Sequence, residues 1–581
     1  MKRVQNRLGE SERSDNPIRE VPKRKDVDHR LLWTITTFLL VLGTGGVFLA
    51  HSHHFVWWGN PDQDLVFLRD GLRIISRNKD LYSDHPGAIQ SIMSAGVAWL
   101  YNATHAAGDS IQSNNTERWQ WSFKTLKTVN WFTYSVLWTY ITYRLKRVLN
   151  WPVAAAATSL SAASLATGVE IVQLRNEVYS SLLALTALST AASWSSGRGR
   201  ETTRSRAKDT ANVVLYSAAT IASLMAKVQA IFLFAVYALF AAVEDSRRKK
   251  ENRHESTKPK AIASIGCSLV ISFSIISMRG ESWQPRELMS YGATIFLAIL
   301  PAFIHLSSSS KGLRKDIVLR SFMIAATISA SAAVFEWISP QWIETGLNPL
   351  LSAKYGTQYQ SCGGLGCKSE ALINGVEHLM KRTFHGNLSA CAGGSLLLTY
   401  FTTNIARSRS TPLKCVFALT SASVSLGLFG QGMGVIGKSI SLLCSAIGAL
   451  LIQYKHKSGP HKDPPVGEYL FWSSLILAGI SAQRWAVDSY LIYYQPLLYL
   501  AILIEASKAR LLFSFATVYL CISTLQINSD FLRDMPFTFQ RATTQDGYHW
   551  LCSRQHSGNE WRGTIVDQID CQEIERRSHN P

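Results

Sequence analysis

Residues Leu31–Ala50 read LLWTITTFLLVLGTGGVFLA, twenty residues without a charged side chain. That is the length and composition of one bilayer crossing. Directly beyond lies Trp57–Gly87, WWGNPDQDLVFLRDGLRIISRNKDLYSDHPG, with five aspartates (Asp62, Asp64, Asp70, Asp80, Asp84) and His85. Thirty polar residues with nine Lys or Arg come before the apolar run. The run exceeds a signal-peptide core and no small-residue cleavage site follows it, so it reads as a retained first helix with a basic inner flank. The acidic stretch is then pinned at the opposite membrane surface, and the reading is organised around it.

Similar uncharged windows recur along the 581 residues. Only 17% of the chain is charged, against roughly 25% in an ordinary soluble domain. The mean hydropathy of +0.05 is low because polar loops dilute the apolar windows. The net charge is +19. The placement of the cations excludes nucleic acid as the reason: the loops assigned to the inner side hold 35 of the 59 Lys and Arg, the asymmetry of a membrane protein. They include Arg144–Arg147, Arg198–Lys208 and Arg247–Lys260.

The expected fold is all-α, a polytopic membrane protein of about 13–15 spans. Residues 1–30 form a cytoplasmic basic tail and 31–527 the membrane domain. Within it, 51–126 is a first outer loop and 339–385 a second. Residues 528–581 form a polar outer tail. Gly87–Ala107, broken by Gln90, Asn102, Thr104 and His105, reads as helices along the outer surface. Spans are expected near Lys127–Tyr143, Trp151–Thr167, an outer turn Gly168–Glu177, and a span to Ser195. A hairpin, Ala211–Ala226 and Ala230–Val243, turns at Lys227-Val228-Gln229. Later spans include Ala261–Met278, Leu288–Leu306, Asp316–Ile338, Gly386–Thr403, Val416–Gly430, Val435–Gln453, Gly467–Ala482, Tyr490–Ile504 and Leu511–Ile527. Of nine cysteines, Cys267, Cys391, Cys415, Cys444 and Cys521 fall in or beside spans and read as packing residues. Cys362 with Cys367 and Cys552 with Cys571 fall outside, where disulfides persist.

Asp62 and Asp64 are tethered near the surface behind the stiff, interface-seeking Trp57-Trp58-Gly59-Asn60-Pro61. A carboxylate there has the chemistry of a general base toward a hydroxyl or of a metal ligand; the alternative is a solvated acidic loop. Asp84 beside His85 pairs a carboxylate with a group that titrates near neutrality, or caps the helix that follows. Asp70 and Asp80 read as the solvated face of an amphipathic helix. Glu177 ends a span; Lys227 and Gln229 sit at a hairpin tip; Arg484, Asp488, Tyr493, Tyr494 and Gln495 flank another outer turn. Ionisable residues near the bilayer are costly and mark sites, or snorkel to the interface.

The phrase NPDQDLVFLRDGLRI…LYSDHPG, with LRNE and KVQ later, resembles the GT-C glycosyltransferases of bacteria. The resemblance implies transfer of a sugar from a polyprenyl-phosphate donor to a lipid or glycan acceptor at the outer face of the cell membrane. Asp62 or Asp64 would be the base. Asp84, His85, Glu177, Lys227, Gln229, Arg484 and Tyr494 would bind donor or acceptor. No cofactor is implied beyond an optional divalent metal. Two other readings stay open: a polysaccharide polymerase or ligase using Lys381, Arg382 and His385 of the second loop, and a transporter or flippase.

Overall fold

The computed structural model describes residues 24–52, 66–75, 88–105, 115–146, 149–196, scattered positions from 211 to 233, and then 365–384, 390–405, 411–425, 434–454, 466–482, 488–507 and 510–552. Among these the chain is 95% helical and has no strand. The first helices are α1 (Arg24–Ser52), α2 (Val66–Ile75), α3 (Ala88–His105) and α4 (Asn115–Leu145). They are followed by α5 (Trp151–Ala163), α6 (Leu165–Val172) and α7 (Asn176–Ser196). The second half holds α8 (Leu365–Thr383), a π segment Ala390–Gly394, α9 (Ser395–Ile405), α10 (Thr411–Ser425) and α11 (Gly434–Tyr454). Next come α12 (Val466–Ala482), a 3₁₀ turn Asp488–Tyr493, α13 (Gln495–Ala506) and α14 (Arg510–Cys552).

The interior mixes an apolar core with many polar groups, and apolar side chains also face outward. The buried set is crowded with hydroxyls, such as Thr142, Thr158, Ser161, Ser164, Ser180 and Thr190. Large apolar side chains point outward instead, along α1 (Leu31, Leu39, Val47), α11 (Val435, Leu443) and α14 (Leu511, Val518, Leu525). Among the described residues two helices, Leu31–Ser52 and Arg510–Arg533, are long and apolar enough to cross a membrane; the bent pair α5–α6 makes a third if it counts as one span. Spans expected near 261–278, 288–306 and 316–338 lie outside the described residues.

α1 lies on α4 and α5. The Trp131 indole donates to the Leu42 carbonyl at 3.0 Å, and a Cβ at Gly45 would meet that indole at 2.8 Å. α5 starts under an Asn150 cap, whose side chain accepts from Val153 N–H at 3.0 Å. It stops at Ser164, which is extended. The Ser164 hydroxyl donates to Ser161 O at 2.6 Å and that of Thr167 does so at 3.1 Å. These bonds compete with helix continuation, and the chain bends by 46° into α6. Asn528 of α14 donates to the freed Ala163 carbonyl at 2.6 Å.

Five sequence expectations change here. The span Trp151–Thr167 is a broken pair, and the turn Gly168–Glu177 shrinks to Gln173–Arg175, because α6 continues to Val172. α3 is one helix, with Gln90, Ser94, Ala95 and Val97 buried among its neighbours. α14 does not stop at Ile527. It runs 43 residues, on the order of 65 Å at ~1.5 Å per residue, about twice a hydrocarbon core, so its end extends into the segment read as a tail. Finally, Asp70 is 3% exposed and is not on a solvated face.

α2 buries Phe67 and Leu68 and packs on α3 at very close range. A Cβ at Gly71 would come within 2.6 Å of the Ser94–Ala95 backbone, which has no side chain to move aside. Gly71→Val is therefore expected to separate α2 from α3, at a cost of about 1–3 kcal/mol. Faster proteolysis between 53 and 114 is the readout, and unchanged protection would refute the close packing.

Candidate functional site

The junction Gln173-Leu174-Arg175 between α6 and α7 gathers the polar interior. Arg175 Nε donates to Gln173 Oε1 at 2.5 Å. Asn176 Oδ1 accepts from the Gln90 backbone N–H at 3.1 Å and docks α3. Glu177, in the first turn of α7, forms an ion pair with Lys227. Both side chains are buried, 2% and 7% exposed. The backbone around them is tied as well: Ser180 Oγ donates to Lys227 O at 2.9 Å, and Ser223 Oγ donates to Ser180 O at 2.5 Å. Ser181 Oγ donates to Ile492 O of the 3₁₀ turn at 2.6 Å. Tyr179 OH donates to Asn130 Oδ1 of α4 at 2.5 Å, with the Tyr134 ring 5.2 Å from its own in an edge arrangement.

Glu170 completes this node. It lies on α6 seven residues before Glu177 and is fully buried. At the other end of α7, Arg144 is buried too and donates to Thr190 O at 3.1 Å and Asn212 Oδ1 at 2.9 Å. α4, α7 and the 211–233 segment are thus stitched at both ends.

A second cluster joins segments that the sequence places more than a hundred residues apart. Asp488 takes both nitrogens of Arg382, Nε at 2.9 Å and NH2 at 3.0 Å, and His378 Nε2 lies 3.2 Å away. Gln495 Nε2 donates to Arg382 O at 2.8 Å, and Ser523 Oγ to Thr383 O at 2.8 Å. Burial raises the Asp488 pKa, but the His378 hydrogen bond and the Arg382 charge outweigh it and hold the carboxyl below its ordinary value. A depressed carboxylate stabilises the fold above its unfolded pKa, about 3.9, and that contribution disappears as pH falls through the lower folded value. Wild type is expected to lose more stability than Asp488→Asn on acidification below pH ~4. Parallel acid-unfolding curves would show that the clasp contributes nothing.

Of the sequence-assigned site residues, the structure brings Glu177 and Lys227 into contact, with each other. Tyr494 is buried and its carbonyl accepts from Ser474 Oγ at 2.9 Å. Asp62, Asp64, Asp84, His85, Gln229, Arg484 and His385 lie outside the described residues, as do Cys362 and Cys571. Among the described residues no group of three or more His, Cys, Asp or Glu could hold a metal. Cys391, Cys444 and Cys521 form no disulfide, and of the three Cys391 is buried as a packing residue. Sequence reasoning passed over Glu170, Asn130, Tyr134 and the Arg382–Asp488 pairing. Glu170 had a signal, a single acid in the otherwise uncharged run Trp151–Val172.

Helical over 95% of its described residues, without strands, and with apolar side chains on outward faces, the chain belongs to the class of all-α proteins with membrane-capable helices. Compared with known protein families, curated proteins and solved structures, it matches none.

Proposed function

We propose that the protein is a multi-pass enzyme of the cell membrane, a bacterial inner membrane. It moves a sugar from a polyprenyl-phosphate donor to a lipid or glycan acceptor at the outer face. The observation that carries this reading is the meeting of Glu177 with Lys227. The two were singled out separately in the sequence, in LRNE and KVQ, as the acid and cation of one membrane surface. Support also comes from α1, which leads directly into the aspartate stretch. In this reading Asp62 or Asp64 takes the acceptor proton as its hydroxyl attacks the anomeric carbon, while the bond to the donor phosphate breaks. The phosphate leaves as an anion and needs no acid. The test is turnover on a polyprenyl-phosphate sugar by Asp62→Asn and Asp64→Asn; wild-type rates in both would end the assignment.

The polymerase or ligase reading gains less support: Lys381 is paired with Glu377 at 2.5 Å and Arg382 is engaged by Asp488. The transporter reading is favoured by one observation, the break at Ser164 inside a membrane-capable pair, since transporters build sites at broken helices.

A further inference from the structure

The polarity of α3 is reversed for a helix in water. Gln90, Ser91 and Ser94 are turned into the protein and buried. The Gln90 backbone N–H donates to the Asn176 side chain at 3.1 Å, and the Ser94–Ala95 backbone is the surface on which Gly71 of α2 sits. The outward side is apolar. Ile92 is 42% exposed, Trp99 63% and Leu100 43%, and Gly96 and Ala103 are exposed with them. Spaced i, i+4, i+7, i+8 and i+11, these five form one stripe about 100° wide. Along its length α3 has no Asp, Glu, Lys or Arg. A surface helix in water turns its apolar stripe to the core and its polar side outward.

The neighbours of α3 identify what its stripe meets. α3 packs on α4, whose outward side is apolar too, with Val129, Phe132 and Val136 exposed. Phe132 meets Phe38 of α1 edge to face, with ring centroids 6.3 Å apart. The apolar surface therefore continues onto the exposed Leu39 side of α1, a helix long and apolar enough to cross a membrane. The Tyr101 ring of α3 packs against Trp121 of α4, centroids 5.2 Å apart. Trp121 precedes Val129 by roughly 12 Å of helix, so the pair sits at the edge of the apolar surface, where aromatic residues gather in membrane proteins. Although 18 residues long, α3 is too polar to count among the membrane-crossing helices.

We propose that α3 lies in the plane of the membrane, at the interface of one leaflet, with Ile92, Trp99 and Leu100 against phospholipid acyl chains. Apolar area buried in the lipid holds such a helix there, and Trp and Tyr at headgroup level fix its depth. The stretch Trp57–Gly87 runs between α1 and α3, so it is tethered to the lipid surface at both of its ends. The proposal rests on the reading of the chain as a membrane protein and not on sugar transfer.

The experiment places the photoreactive residue benzoylphenylalanine at Leu39, Ile92 or Trp99 of the full chain, reconstituted in vesicles of phosphatidylethanolamine and phosphatidylglycerol. All three side chains are exposed, so their replacement leaves the helix packing intact. After irradiation the peptides are weighed, with Leu39 reporting on α1. The expected result is the added mass of one phospholipid at all three positions, with Ile92 and Trp99 joined to the same stretch of the acyl chain. A membrane-crossing α3 would set those two roughly 10 Å apart in depth, and attachment at such different depths overturns the in-plane arrangement. Lipid at Leu39 but missing from Ile92 or Trp99, or a protein cross-linked there in its place, overturns the proposal and leaves the membrane reading standing. No lipid at any of the three overturns both. Should the variants not fold, the wild-type chain in the same vesicles decides. Trp99 is expected to be shielded from hydroxyl radicals generated in the water phase, and its ready oxidation overturns the proposal.

Discussion

Lys227→Met is expected to cost about 3–5 kcal/mol of folding stability, because it leaves the Glu177 carboxylate buried without its counter-charge. Both members of the pair are almost fully enclosed, so water cannot take over the role of the lost partner. Most of the loss comes from the stranded charge rather than from the bond itself. Glu177→Gln in the same chain should therefore recover much of the stability, since two neutral side chains of similar volume fill the space without desolvating an ion. The measurement is a double-mutant cycle by thermal or denaturant unfolding in detergent, with a coupling of 0.5–3 kcal/mol, on the order found for contacting residues. A Lys227→Met chain as stable as wild type would refute the buried pair, and so would a double variant no better than the single. This outcome also changes what Lys227 can report about a donor phosphate. From sequence, Met at 227 was expected to weaken donor use far more than folding. With the ammonium committed to Glu177, a fall in both is the expected result, and donor affinity must be read on protein shown to be folded.

Asp62→Asn or Asp64→Asn is expected to lower transfer from a polyprenyl-phosphate sugar by ~10²–10⁴-fold, the range a positioned general base supplies. The donor already carries a good leaving group. What the reaction lacks is a deprotonated nucleophile, and an amide cannot accept that proton. Asn keeps the shape of Asp, so expression and membrane insertion should be unchanged. Which of the two substitutions has the larger effect identifies the base. A rate unchanged in both returns the aspartate stretch to the role of a solvated loop and moves the polymerase and transporter readings ahead. Asp70 is not a neutral control for this experiment, because its burial makes a loss of stability the expected consequence of change there. Asp80 remains the sequence-based control.

Some of the architecture was legible because the bilayer imposes it. A span needs about twenty apolar residues, so α11 and α12 begin and end within a few residues of the apolar runs, while α1 ends with its run but starts at Arg24 in the basic flank. The helix ends that were misread are those where a local polar contact overrides hydropathy. Ser164 breaks a run with no apolar interruption, because its hydroxyl and that of Thr167 reach the Ser161 carbonyl. α14 passes through a drop in hydropathy because a helix satisfies its own backbone whatever its side chains are.

The site divides the same way. That Glu177 and Lys227 were out of place in apolar surroundings was visible in the sequence, since an ionisable residue in such a run has few bland explanations. That they neutralise each other was not, because fifty residues separate them and no periodicity links them. Glu177 was read from the sequence as the acid that ends a span, and Glu170 was passed over. Only the tertiary structure gave Glu177 a direct ion-pair partner in Lys227 and left Glu170 with no side-chain hydrogen bond among the described residues. The sequence alone determined that the chain is helical and where its charges are costly. Tertiary packing decided which of those charges is paired, through distances that depend on how helices remote in sequence pack together.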